Sequence, residues 1–339
     1  MKKIKILFIC GLLTAIIILS GCGAKSDHSS GKESSTSKTV KIAVIPKGTT
    51  HEFWKAIHAG ALKASEELSS PTQRLEIIWQ GPLKEDDREQ QVQVVESFLS
   101  RGIQGMVLAP LDAKALVTSA EQVIQTGIPV VIFDSDLDST KPVSTVATNN
   151  YKGGQIAAEY LGKLLGGKGK IIILRYAVGS ASTEQREKGF IDTIKSQFPG
   201  INIVSSDQYA GPTRETAYQS SQNLLSRYAS NIEGIYTPNE SSTAGMILAL
   251  RDSGKSLGKI KHVGFDSGEL LIGALKAGDI QGLVVQDPYK MGYLAVKTIF
   301  EVIGGHPVQK RIDTSVGLIT LQNLHTPETQ SLLNPENHP

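Results

Sequence analysis

VKIAVIPKGTTHEFWKAIHAGALKASEEL, residues 40–68, holds the unit from which the rest of the chain can be read. Val40 to Ile45 is a short β-branched run, the composition of a buried strand. After the loop from Pro46, the apolar residues Trp54, Ile57, Ala61, Ala64 and Leu68 recur near helical spacing between Glu52 and Leu68. The same alternation then repeats. Strands are expected at Leu75 to Trp79, Gly105 to Ala109, Ile128 to Phe133 and Val143 to Thr148, with helices at Asp87 to Arg101 and Lys114 to Gln125. A second series runs through helices Lys152 to Leu165, Glu184 to Gln197, Glu215 to Tyr228, Ser242 to Ser253 and Leu270 to Ala277. Its strands are Lys170 to Leu174, Ile201 to Ser205, Gly234 to Tyr236, His262 to Phe265 and Gln281 to Val285. A last helix at Tyr289 to Ile303 and one strand near Thr314 to Ile319 complete the pattern. Strands alternating with helices of this length imply parallel βαβ units with right-handed crossovers, hence an α/β fold of two doubly wound lobes.

Composition agrees with that reading. The 339 residues are 40% hydrophobic and 20% charged, a globular balance with length for about two domains. The cysteines, Cys10 and Cys22, are too few for a disulfide framework or a cysteine-rich zinc site. Lys2, Lys3 and Lys5 precede an apolar run from Ile6 to Leu19, and small residues come after it, which is the order of a secretory signal. The run is too short for the roughly twenty residues that cross a hydrocarbon core. Those three lysines exceed the whole formal charge of +2, so the remainder of the chain lacks the basic face expected of a nucleic-acid binder. From Gly23 the sequence GAKSDHSSGKESSTSKT has nothing to build a core and reads as a flexible linker.

In open parallel sheets, ligands bind beyond the carboxyl ends of the strands. That rule selects the loops Pro46 to Phe53, Gly81 to Asp86, Pro110 to Asp112, Asp134 to Asp136, Asn149 to Tyr151, Tyr176 to Arg186, Asn239 to Ser242, Asp266 to Gly268 and Gln286 to Tyr289. They hold aromatics, carboxylates, amides and an arginine. A sugar ring matches such an inventory, because its hydroxyls bond to Asp, Asn, Gln and Arg while its C–H faces pack on aromatic rings. Enzyme motifs fail on inspection. His51-Glu52 lacks the second histidine of a zincin, since position 55 is Lys55. Gly162 to Lys168 fits a phosphate loop only until Gly169 replaces the Ser or Thr that would hold Mg²⁺. Asp134 with Asp266 is the one conceivable glycosidase pair, and binding is the simpler use. No catalytic residue, cofactor or metal is expected.

Two resemblances sharpen these expectations. Leu19-Ser20-Gly21-Cys22 resembles a bacterial lipobox, which implies a diacylglycerol on the Cys22 thiol, loss of Cys10 with the signal, and tethering to the extracytoplasmic face of the cell membrane. From Val40 to about Leu324 the chain resembles the type I periplasmic sugar-binding proteins of ABC transporters, the ribose and galactose class. The resemblance lies in HEFWKAIHAGA (51–61), GIPVVIFDSD (127–136), VATNNYKGG (146–154), REKGF (186–190), TPNESSTAGM (237–246), VGFD (263–266) and VVQDPYKMG (284–292). It implies two lobes joined by a three-segment hinge, which close on a sugar and present the closed form to a membrane permease. The implied organisation is a signal at 1–21, a linker at 22–39, lobe one at 40–148 and 287–315, lobe two at 149–286 and 316–325, and a tail at 326–339. A monomer is expected, because docking and hinge motion both need freedom.

Carried over residue by residue, the resemblance makes Phe53 and Trp54 the aromatic pair that stacks on the sugar and Asp134 an acceptor of its hydroxyls. Asn150, Arg186, Asn239, Asp266 and Gln286 are the remaining polar contacts, and His51 is a further polar position that bonds or caps. The ribose class has arginine after the aspartate, where this chain has Ser135 and then Asp136. IPKG (45–48), GPLKED (81–86), FDSD (133–136) and TPN (237–239) are also similar to autoinducer-2-binding proteins, which would assign contacts to Lys47, Asp134 and Pro238. A sugar-responsive repressor would need a helix-turn-helix before the first strand, where a signal and linker stand instead.

Overall fold

In the computed structural model, which describes residues 38–255 and 258–334, the alternation becomes two sheets with helices on both faces. The expected signal, Cys22 and the linker up to residue 37 lie outside the described residues. The first lobe contains β1 (Lys38–Ile45), α1 (Glu52–Leu68), β2 (Gln73–Trp79), α2 (Arg88–Ser97), β3 (Gly105–Leu108), α3 (Val117–Gln125), β4 (Val130–Phe133) and β5 (Ser144–Thr148). The chain then enters the second lobe with α4 (Asn150–Leu164), β6 (Lys168–Arg175), α5 (Ala181–Gln197), β7 (Gly200–Tyr209) and α6 (Arg214–Tyr228). That lobe continues with β8 (Gly234–Tyr236), α7 (Glu240–Asp252), β9 (Lys261–Phe265), α8 (Glu269–Ala277) and β10 (Gly282–Gln286). α9 (Pro288–Ile303) returns to pack on α1, and β11 (Arg311–Thr314) joins the first sheet. β12 (Val316–Ile319) joins the second sheet and α10 (Pro327–Leu333) comes after it.

The strand orders are β11-β5-β4-β3-β1-β2 and β12-β10-β9-β8-β6-β7, so every strand has a counterpart at the same place in the other lobe. The symmetry breaks at the edge, where β11 runs parallel to β5 and β12 antiparallel to β10. Along β1, Val40, Ile42 and Val44 pack with α1 and α9, while Ala43 and Ile45 pack with α2 and α3. Burial on both faces is why such strands read as continuous apolar runs, each fully buried Val or Ile contributing about 1.5–3 kcal/mol. The chain passes between sheets at Asn149, Asp287 and Ser315, and three short connections leave the lobes free to hinge.

Three local features differ from the sequence reading. The single strand expected near Thr314 to Ile319 is two strands of four residues on different sheets, too short to show a period. β1 begins at Lys38, two residues inside the stretch assigned to the linker, because Lys38 pairs with Gln73. The stretch assigned to a tail from 326 carries α10, started by Thr326 accepting from the Thr329 amide and held by Leu333 against the second lobe.

Two helix pairs approach closely through reciprocal glycines. A Cβ on Gly60 would stand 1.9 Å from the Tyr289 carbonyl oxygen, and one on Gly292 would stand 2.1 Å from that of Ile57. The α4 and α5 pair repeats the device, with Gly154 and Gly189 meeting the carbonyls of Arg186 and Tyr151. Gly154→Ala is therefore expected to force α4 off α5 and to destabilise the protein by about 2–3 kcal/mol. A urea midpoint unchanged from wild type would contradict this packing.

Candidate functional site

The carboxyl ends of both sheets face one cleft, and strand order determines what each contributes. Asp134 leaves β4 and Asp266 leaves β9, the equivalent strands, and both adopt left-handed backbone conformations with φ of 60° and 72°. They are the only non-glycine residues with positive φ among the described residues. Aspartate tolerates that region better than most side chains, and the turn aims both carboxylates into the cleft.

On the first lobe, the loop after β1 brings in Lys47, which is 3% exposed. Its ammonium meets Asp134 Oδ2 at 3.0 Å and, across the cleft, Ser182 Oγ at 3.1 Å and Ser180 Oγ at 3.4 Å. Three donors thus have three acceptors from two lobes. His51 precedes α1 without capping it through its side chain. Its Nδ1 lies 3.1 Å from Glu85 Oε1 and 3.4 Å from Glu240 Oε2 of the second lobe. Glu85 also accepts from Trp54 Nε1 at 2.6 Å and from the Tyr176 hydroxyl, again of the second lobe, at 2.5 Å. Burial alone would raise the Glu85 carboxyl; the hydrogen bond and charge of His51, with bonds from Tyr176 and Trp54, outweigh it and hold the group at about 2. Burial would lower His51, and the bond and charge of Glu85 with the charge of Glu240 raise it instead.

On the second lobe, Arg186 is 2% exposed and lies over the Phe265 ring at 4.0 Å. Its Nε donates to Asn150 Oδ1 at 2.8 Å and its Nη1 to the Pro238 carbonyl at 3.0 Å. Asp266 accepts from Gln286 Nε2 at 2.7 Å and from the Glu240 amide at 2.9 Å. Burial raises Asp266 to about 6, with Arg186 and Gln286 working against it.

The sequence-selected residues therefore divide by what they face. Lys47, His51, Phe53, Trp54, Asp134, Arg186, Asn239, Asp266 and Gln286 all line the cleft. Asn150 and Pro238 stand behind it and orient Arg186. Trp54 is 2% exposed and meets Phe133 edge to face, so its ring belongs largely to the lobe-one core and its indole N–H serves Glu85. Asn239 caps α7, accepting from the Ser242 amide. Sequence reasoning did not single out Glu85, Tyr176, Ser180, Ser182 and Glu240. All lie in loops selected by the strand-end rule, but their importance comes from partners on the other lobe, which no local pattern carries. Where the ribose class has arginine, Ser135 Oγ accepts from the Ser182 amide and Asp136 pairs with Arg311 and Gln185, so this corner fastens one lobe to the other.

The open space at the centre of the cleft is about 30 Å³, room for a water molecule or two. Beyond Phe53 an adjoining cleft of about 480 Å³ shares Phe53, Asp266 and Gln286 with it. A ligand of sugar size must enter with the lobes apart.

Two doubly wound lobes joined by three crossovers, with a polar cleft between their strand ends, define a hinged solute-binding protein. The comparisons agree: a family model described as periplasmic binding protein domain matches residues 42–307, and the chain belongs to that family, in its type I sugar-binding class. It is 26% identical over 318 residues to the D-ribose/D-allose-binding protein of Pseudomonas aeruginosa, covering 91% of this chain and 97% of that one. A carbohydrate transporter solute-binding protein from Agrobacterium radiobacter, solved in complex with D-arabinose, is 32% identical with a TM-score of 0.82, covering 87% and 99% of the two chains. The periplasmic component of an ABC-type sugar transport system from Hahella chejuensis is 35% identical with a TM-score of 0.78, covering 83% and 99%. These relatives are binding proteins.

The carboxyl of Glu85 gives a pH test with a definite sign. Its folded value lies below the ordinary 4.5, so its contribution is present above pH 4.5 and is lost as pH falls toward 2, amounting to about 3 kcal/mol. His51 acts oppositely: its folded value lies above 6.5, so its contribution is full below pH 6.5 and is lost as pH rises through that folded value. Urea midpoints measured from pH 3 to pH 8 are expected to fall at both ends, and Glu85→Gln to flatten both slopes. A Glu85→Gln profile parallel to wild type would contradict the His51 and Glu85 pairing.

Proposed function

We propose that this protein captures a monosaccharide outside the cytoplasm by closing two lobes on it, and delivers it to an ABC-type permease. The observation that carries this reading is the cleft itself, where carboxylates, amides and cations from both lobes converge on one space. Carboxylates accept from hydroxyls, and Gln286 and Arg186 donate to ring or hydroxyl oxygens. Phe53, half-buried and lining both clefts, offers the aromatic face for the sugar's C–H surface. Phe53, Asp134, Arg186, Asn239, Asp266 and Gln286 are the proposed contacts, with Trp54 and Asn150 supporting them. Because the ligand touches both lobes only when they are together, binding shifts the population toward the closed form, and the permease reads that form. The relatives named for ribose, allose and arabinose support a pentose or hexose as the ligand class.

The protein is proposed to act as a monomer, tethered to the extracytoplasmic face of the membrane through lipid on Cys22. Among the described residues no helix is long and apolar enough to cross a membrane, and a lipidated Cys22 supplies an anchor that the folded lobes do not.

A thermal-shift screen against pentoses, hexoses, polyols and autoinducer-2 tests the ligand class. At a hundredfold excess over its dissociation constant, a cognate sugar is expected to add about 2.7 kcal/mol and raise the melting temperature by several degrees. A shift with autoinducer-2 and with no sugar would transfer the assignment to that signal molecule, for which Lys47 and Asp134 supply the paired contacts. For the anchor, cells fed an alkyne fatty acid are expected to label the wild-type protein and not Cys22→Ser; equal labelling would refute lipidation at that residue.

A further inference from the structure

Among the described residues, three buried side-chain polar atoms have no hydrogen-bond partner: Tyr236 Oη, His262 Nδ1 and Glu240 Oε2. Tyr236 and His262 are fully buried on the strands β8 and β9 and do not line the cleft. Glu240 is 2% exposed and does line it. It is the first residue of α7, where the helix N-terminus favours a carboxylate, and its Oε1 is held by Arg214 Nε at 2.8 Å. Its backbone amide is spent on Asp266. The carboxylate is thus fixed in place, with Oε2 buried, without a hydrogen bond, and 3.4 Å from His51 Nδ1 of the other lobe.

His51 does not fill that need. Its Nδ1 carries one proton, and Glu85 at 3.1 Å is nearer to it than Glu240 at 3.4 Å. Each of the other acids of the cleft has donors and leaves no buried oxygen without a hydrogen bond: Glu85 takes Trp54, Tyr176 and His51, Asp134 takes Lys47, and Asp266 takes Gln286 and the Glu240 amide. A buried carboxylate oxygen without a donor carries the full cost of its desolvation, and a ligand that supplies the donor recovers it.

The surroundings restrict the donor. A hydroxyl placed at Oε2 can donate, whereas a ligand carboxylate there would bring like charge against Glu240 and donate nothing. We propose that Glu240 is a specificity-determining ligand contact that accepts, through Oε2, one hydroxyl of a polyhydroxylated ligand, and so favours a hydroxyl over a carboxylate at that ligand position. The assignment rests on the monosaccharide-binding reading above and adds to it a residue that TPNESSTAGM contains but that neither the motifs nor the family resemblance assigned as a contact.

The test is calorimetry on the whole protein with D-ribose, D-allose, D-arabinose and every other sugar that shifts the melting curve, followed by the monodeoxy and uronic acid analogues of whichever binds tightest. Glu240→Ala is expected to weaken the parent sugar tenfold to a hundredfold, the range for a hydrogen bond to a charged group. One monodeoxy analogue is expected to cost wild type a similar factor and to cost Glu240→Ala nothing further, which marks the bonded hydroxyl. A uronic acid analogue with its carboxylate at that position is expected to bind wild type more weakly than the parent. Should Glu240→Ala not fold, Glu240→Leu keeps most of the bulk, removes the acceptor and gives the same deoxy comparison. Binding by Glu240→Ala within twofold of wild type, losses that simply add for every deoxy analogue, or a preferred acid analogue would each overturn the assignment while leaving monosaccharide binding intact. A wild-type protein that binds no pentose or hexose of the thermal-shift panel overturns the functional reading and this one with it.

Discussion

Charged groups buried between the lobes need partners from both sides, and the rest of the molecule is arranged around that requirement. Lys47 takes Asp134 from its own lobe and two serine hydroxyls from the other; Glu85 takes His51 and Trp54 from its own lobe and Tyr176 from the other. An ion removed from water without such partners costs several kcal/mol, and removing one partner of a buried pair is strongly destabilising. Closure therefore exchanges hydration for cross-lobe bonds, and the balance between the two sets how readily the lobes meet. A ligand that adds further donors and acceptors tips that balance.

Most of the cross-lobe bonds pass through one segment of the second lobe, from Tyr176 to Gln185. The Gly179 carbonyl accepts from the Ala113 amide at 3.0 Å, the Val178 carbonyl from Arg88 at 2.8 Å, and Gln185 donates to Asp136. This segment joins the C-terminal end of β6 to the start of α5, opposite the loops that leave β1, β3 and β4. Its place is set by strand order: β6 is the counterpart of β1, so the loops after the two strands meet when the sheets face one another. The hinge crossings lie at the other edge, where β5, β10, β11 and β12 end or begin.

The legibility of the site varied with the range of the interaction that makes it. Asp134, Asp266 and Gln286 were recoverable because they sit where strands end, and a strand end is a local property. Trp54 was recoverable as a cleft residue, but its division into a core ring and a cleft N–H depends on Phe133 and Glu85, both distant in sequence. Glu240 lies in a loop that the strand-end rule selects, but a glutamate opening a helix is ordinary; what sets it apart is a buried oxygen without a hydrogen bond, beside His51 of the other lobe.

By itself the amino-acid sequence determined the two series of strand and helix, their cores and the loops that point into the cleft, because periodicity and turn chemistry act over a few residues. Only the tertiary structure decided that residues 311–319 divide between two sheets, that α10 docks on the second lobe, and which side chains bind across the cleft. Those outcomes depend on pairings tens to more than a hundred residues apart, such as Leu283 with Ile319, Lys47 with Ser182 and Thr148 with Gln286. Their free energy comes from desolvation shared between lobes, a quantity that belongs to the assembled fold and to no stretch of the chain.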